Sequence, residues 1–305
     1  MGRNQPQRSG PTSQWIYCLL AISRRSPSFD SRITKEENPS VRNSNIRSTT
    51  TPASSIRLTL VHCAVYVTES SLPSSRMSGE EQNPAAVPVP VQDVQGDGRW
   101  MSQHNRFVME CKDAEPDVLF IGDSMVQLMQ QYEVWRELFS PLHALNFGIG
   151  GDTTCNVLWR LQNGELDNIR PRVSVVWVGT NNHEHNAEQV AGGILTITQY
   201  LRSCLPRSKV VVLGLLPRGE QPNPLREKNA MVNRLLRSTL DRVGPVQFLD
   251  MSDAFVHSDG AITARDMFDY LHLTASGYST IATPLHELLM QLLEETPQER
   301  RASLV

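Results

Sequence analysis

A chain of 305 residues has room for one large domain or two small ones, and 39% hydrophobic with 20% charged residues is the composition of a globular protein. The formal charge of −3 is unevenly placed: residues 1–76 are net +6 and residues 77–305 net −9, and an acidic body argues against a nucleic-acid partner. No stretch approaches the ~18 consecutive apolar residues of a membrane span. Five scattered cysteines without a Cys-x-x-Cys pair fit free thiols in a reducing compartment such as the cytoplasm, rather than disulfides, a zinc site or a cysteine nucleophile.

Residues 1–76 are rich in Ser, Arg, Thr and Pro and lack periodicity, so a disordered leader is expected. Two apolar runs break it, Trp15 to Ile22 and Leu58 to Val67. The first is short for a signal-peptide core, and the Arg- and Ser-rich, acid-poor composition loosely resembles a mitochondrial presequence. Met77 could serve as an alternative start. Residues 77–98, with Pro84, Pro88 and Pro90, are expected to be a flexible arm, residues 99–296 one domain, and 297–305 a tail.

Within the domain apolar runs alternate with amphipathic segments. Strands are expected over Asp117–Ile121, Ala144–Phe147, Val173–Val178, Lys209–Leu216 and Val246–Leu249. Helices are expected over Met125–Phe139, with a Leu128/Trp135/Leu138 stripe, and over Thr153–Leu161, Ala187–Cys204, Pro224–Leu240 and Ala275–Glu295. Nearly continuous apolar runs such as Val173 to Val178 belong to strands buried on both faces. The alternation predicts a single doubly wound α/β domain with a parallel, about five-stranded sheet covered by helices on both sides.

In such a sheet ligands bind beyond the carboxyl ends of the strands. Four of these places are polar. Gly122-Asp123-Ser124 puts a serine at a sharp strand-to-helix turn, although Asp and Ser are also ordinary helix caps. Gly148-Ile149-Gly150-Gly151 offers backbone N–H donors of the kind acyl transfer needs at a developing oxyanion. It also matches the start of a dinucleotide loop, but Thr153 stands where the third glycine would be. Gly179-Thr180-Asn181-Asn182 offers a neutral amide donor. His183 and His185 nearby lack a third partner and read as a solvated loop, not a metal site. Asp269-x-x-His272 can hold an imidazole in one tautomer while its other nitrogen takes a proton from a serine. Each alone has a bland reading; their order at successive strand ends favours nucleophile, oxyanion donors, orienter and base.

These four blocks resemble those of the SGNH, or GDSL-like, hydrolases, whose domain is flavodoxin-like. Val91–Ser102, Trp135–Phe147 and Gly214–Gly219 resemble, more closely, the catalytic subunits of the intracellular, type I platelet-activating factor acetylhydrolases. Met125–Tyr132 and Met290–Pro297 look more like the alpha-2 (beta) branch than the alpha-1 branch. The resemblance covers residues 77–298 and leaves 1–76 without a counterpart. It implies a carboxylic ester hydrolase that removes the sn-2 acetyl group of platelet-activating factor and related acetylated ether phospholipids, without calcium, metal or cofactor. It implies Ser124 as nucleophile, His272 as general base and acid, and Asp269 as its orienter. Ser124, Gly151 and Asn181 would form the oxyanion hole, and Met125 and Leu271 would limit acyl length. The implied partners are a second catalytic subunit, in a homodimer or heterodimer, and a WD-repeat regulatory protein associated with lissencephaly. The alternatives are a general short-chain esterase of the same fold, or mainly a scaffold for the regulatory protein.

Overall fold

The computed structural model describes residues 82–295, so the expected leader 1–76 and tail 297–305 lie outside the described residues. The chain runs α1 (Arg99–Asp113), β1 (Val118–Gly122), α2 (Ser124–Met129), β2 (Ala144–Gly148), α3 (Thr154–Gln162) and β3 (Val173–Trp177). It continues through α4 (Ala187–Cys204), β4 (Lys209–Leu213), α5 (Pro224–Val243), β5 (Val246–Leu249) and α6 (Ala275–Glu295). All five strands are parallel, in the order β2-β1-β3-β4-β5. This is the doubly wound arrangement that the alternation predicts, with its order reversing beside β1, where such folds form a ligand crevice.

Side chains two apart on a strand share a face. Leu119 and Ile121 therefore join Val176, Val210 and Val212 in one core layer, together with Phe107 of α1, Leu158 of α3, Ile194 of α4 and Leu236 of α5. Val118 and Phe120 join Val173, Val175 and Val211 in the opposite layer, with Val126 of α2 and Ile281, Leu285 and Leu289 of α6. β1 and β3 are buried at every position, which explains their unbroken apolar sequences.

The helix expected over Met125–Phe139 is two pieces. α2 ends at Met129, the Gln131 and Tyr132 N–H groups bond three residues back, and Trp135–Phe139 forms a π-helical turn. A tertiary contact overrides the periodicity. Tyr132 packs on Tyr278 at 4.8 Å and donates its hydroxyl to Leu273 O at 3.1 Å, which pulls the chain out of line. Trp135 and Phe139 are buried against Phe120, whereas Leu128 and Leu138 of the expected stripe are only partly covered. β4 stops three residues short of the expected Leu216. α1 has no counterpart among the expected elements, because its inner face is His104, Phe107 and Cys111 rather than an aliphatic stripe. Within the stretch expected to be a flexible arm, residues 83–89 are fastened to the body. Ala85 is fully buried and its carbonyl accepts from Thr154 Oγ1 at 2.7 Å, while Asn83 donates to Gln189 O at 3.0 Å.

Candidate active site

β1 comes within van der Waals reach of β3 at its carboxyl end because Gly122 has no side chain. A Cβ there would lie 2.1 Å from Trp177 O. Asp123 then caps α2, accepting the Met125 N–H at 2.9 Å, and Ser124 opens the helix. Ser124 Oγ lies 2.9 Å from His272 Nε2, although the two residues are 148 apart in sequence. His272 Nδ1 is 2.7 Å from Asp269 Oδ2. Asp269 Oδ1 accepts the N–H groups of Leu271 at 3.1 Å and His272 at 2.7 Å, so the carboxylate shapes the loop as well as the ring. Burial would raise the Asp269 pKa, but the His272 side chain and these N–H donors outweigh it and hold the carboxyl below its ordinary value. An ionised Asp269 accepts a hydrogen bond from Nδ1–H, which fixes the tautomer whose bare Nε2 can accept the Ser124 hydroxyl proton.

The expected oxyanion donors arrive from three strand ends. Gly151, at φ +87°, lies on the exposed turn after β2, and the neighbouring Gly150 N–H is already bonded to Gln127 Oε1 at 2.9 Å. A Cβ on Gly150 would stand 3.8 Å from the Ser124 Cβ, so this turn borders the serine. After β3, the Asn181 amide is aimed by one N–H, given to Asp152 O at 3.0 Å, which leaves its second N–H for a ligand. Among the described residues, no acceptor is formed for the Ser124 or Gly151 N–H.

Met125 and Leu271 line one narrow recess, which also takes in Asp123, Trp177, Thr180, Leu215 and Leu216. Asp123 is fully buried there. Burial raises its pKa to about 7, with Asp152 adding to the effect and the Met125 N–H, His272 and Arg218 opposing it. The recess floor is thus a carboxyl that sheds its proton reluctantly, under a wall of bulky apolar groups. His183, by contrast, is exposed, and among the described residues no group of three His, Cys, Asp or Glu side chains is placed to hold a metal ion. No helix among the described residues is long and apolar enough to cross a membrane.

Sequence reasoning missed what lies beneath. Arg160 of α3 is fully buried and donates to Gly122 O at 3.2 Å and Phe147 O at 3.1 Å, the carbonyls where β1 and β2 turn toward Ser124 and Gly151. It also donates to Asp152 at 2.8 Å and pairs with Glu165. Trp100 Nε1 reaches Asp152 at 2.7 Å and His104 reaches Glu165 at 2.8 Å, so α1 is tied into the same network. The sequence signal was a single arginine among Val157, Leu158 and Leu161, and such a residue ordinarily points to solvent.

Residues 120–279, which contain Ser124, Gly151, Asn181, Asp269 and His272, match the model of the GDSL-like lipase/acylhydrolase family. The chain is 68% identical over 228 residues to platelet-activating factor acetylhydrolase IB subunit alpha2 of Rattus norvegicus, covering 75% of this chain and 100% of that one. It is 64% identical over 219 residues to the alpha1 subunit of the same organism, covering 72% and 94%. In fold it is similar to a GDSL-like lipase from Bacteroides thetaiotaomicron, with a TM-score of 0.53 and 18% identity over 62% of this chain and 97% of that one. The chain is a carboxylic ester hydrolase and belongs to the GDSL-like lipase/acylhydrolase family.

Proposed function

We propose that this hydrolase removes the sn-2 acetyl group of platelet-activating factor and related acetylated phospholipids, without calcium, by attack of Ser124. The observation that carries the reading is the Ser124–His272–Asp269 chain of contacts, at 2.9 and 2.7 Å, set beside a recess with bulky walls. The names of its relatives supply the substrate class.

Ser124 Oγ bonds to the ester carbonyl carbon and gives its proton to His272 Nε2, while the carbonyl π pair moves to oxygen. The Ser124 and Gly151 N–H groups and the Asn181 amide receive that oxyanion. The tetrahedral adduct collapses, the alcohol leaves with the proton from Nε2, and an acetyl group remains on Oγ. Water then repeats the sequence and releases acetate. Removing one oxyanion donor with Asn181→Ala lowers kcat by roughly 10²–10³-fold, and a loss under about threefold in steady-state assays contradicts its role.

Met125 and Leu271 restrict the acyl group to a short chain. Comparison of p-nitrophenyl acetate with the hexanoate tests this directly. kcat/KM falls at least about tenfold for the longer ester, since each misfit methylene costs about 1–3 kcal/mol. Equal or faster hydrolysis of the hexanoate refutes the acetyl assignment. The relatives are named as subunits, and we propose likewise that this chain works as a homodimer or heterodimer of catalytic subunits that binds a WD-repeat regulatory protein.

A further inference from the structure

Phe268 is left over by the acid–base geometry. It is 53% exposed, so it contributes little to the core, yet its ring lies over the His272 imidazole with centroids 5.8 Å apart and planes 19° from parallel. The stack is built in by the backbone. Phe268 N–H donates to His272 O at 3.0 Å, and Met267 pairs with Leu273 in an antiparallel bridge. Tyr270, at φ +60°, closes the loop between them, and its carbonyl is held by the Gly219 N–H at 2.7 Å. The two rings thus belong to opposite residues of a miniature hairpin.

Leaving a large apolar ring half in water is unfavourable, and burial does not account for its place. The face of a phenyl ring carries negative potential and attracts a cation. In the mechanism above, His272 becomes a cation only when it has taken the Ser124 proton, in the transition state and tetrahedral adduct. An interaction that strengthens at that moment raises kcat rather than affinity.

We propose that Phe268 is a positioning residue whose ring face stabilises the His272 imidazolium, adding to Asp269 on Nδ1 and to the nearby Asp123 carboxyl; the inference rests on the reading of His272 as general base. A cation–π contact at a partly exposed site corresponds to roughly a 2- to 5-fold effect on rate.

The test uses the full-length enzyme with Phe268 replaced by Leu, Tyr, Trp and a series of progressively fluorinated phenylalanines. Fluorination drains the ring face of negative potential with little change of shape. Phe268→Leu lowers kcat about 2- to 5-fold with KM unchanged, Tyr and Trp restore it, and log kcat falls in step with fluorination. A flat fluorine series, a leucine variant as fast as wild type, or an effect confined to KM overturns the proposal. Ser124→Ala, assayed alongside, separates the two levels. If it retains wild-type turnover, the reading of His272 as base falls and takes the proposal with it. If it is inactive while the fluorine series is flat, the Phe268 proposal alone is overturned.

Discussion

The Ser124→Ala enzyme is expected to hydrolyse acetyl esters roughly 10⁴-fold or more slowly than wild type, with the fold unchanged. The serine is only partly buried and its hydroxyl touches His272 alone among side chains, so alanine leaves no unpaired core group. The loss falls on kcat, because the covalent route closes while the recess and the oxyanion donors remain. His272→Ala is expected to cost about as much, and the double variant scarcely more than either single one, since the two residues carry out one proton transfer together. A double variant showing the product of the two losses contradicts a shared step. Steady-state rates of the three variants on one acetyl ester decide this.

Arg160→Met is expected to lower stability by about 3–5 kcal/mol, because it leaves the buried carboxylates of Asp152 and Glu165 without their cation. For a domain of this size that is roughly a 10 °C drop in Tm. The damage reaches chemistry as well. Arg160 holds the carbonyls of Gly122 and Phe147, and Asp152 holds Asn181, so the turns carrying the nucleophile and the oxyanion donors lose a shared anchor. Pairing Arg160→Met with Asp152→Asn restores part of the stability, because the pair is removed together. Thermal unfolding that places Arg160→Met within about 1 kcal/mol of wild type contradicts this account of the network.

The legibility of the sequence was uneven, for physical reasons. Val173 to Trp177 was readable as a strand because burial on both faces leaves an unbroken apolar run. The bounds of α4 matched because Asn186 caps it and its apolar face is wide. The break after Met129 was not readable. It depends on Tyr132 meeting Tyr278 and Leu273, contacts more than 140 residues away that leave no local trace. α1 escaped notice because its inner side is partly polar, with His104 paired to Glu165 rather than packed among aliphatics.

The candidate site follows the same rule. Ser124, Gly151, Asn181, Asp269 and His272 stood out as polar residues after apolar strands, where the fold gathers strand ends at one edge. Arg160 and Asp152 were hidden, since a buried ion network looks in sequence like ordinary surface charge. Phe268 was hidden too, because nothing in Asp266-Met267-Phe268 states which ring it will face.

The most direct measurement is the fate of the acetyl group. A rapid-quench digest of the enzyme turning over an acetyl ester is expected to show one acetyl group on the peptide containing Ser124. The adduct forms before steady-state turnover and disappears as substrate is consumed. An acetyl group carried on a different residue with those kinetics, while Ser124 stays unmodified, would contradict the assignment of Ser124 as the attacking group.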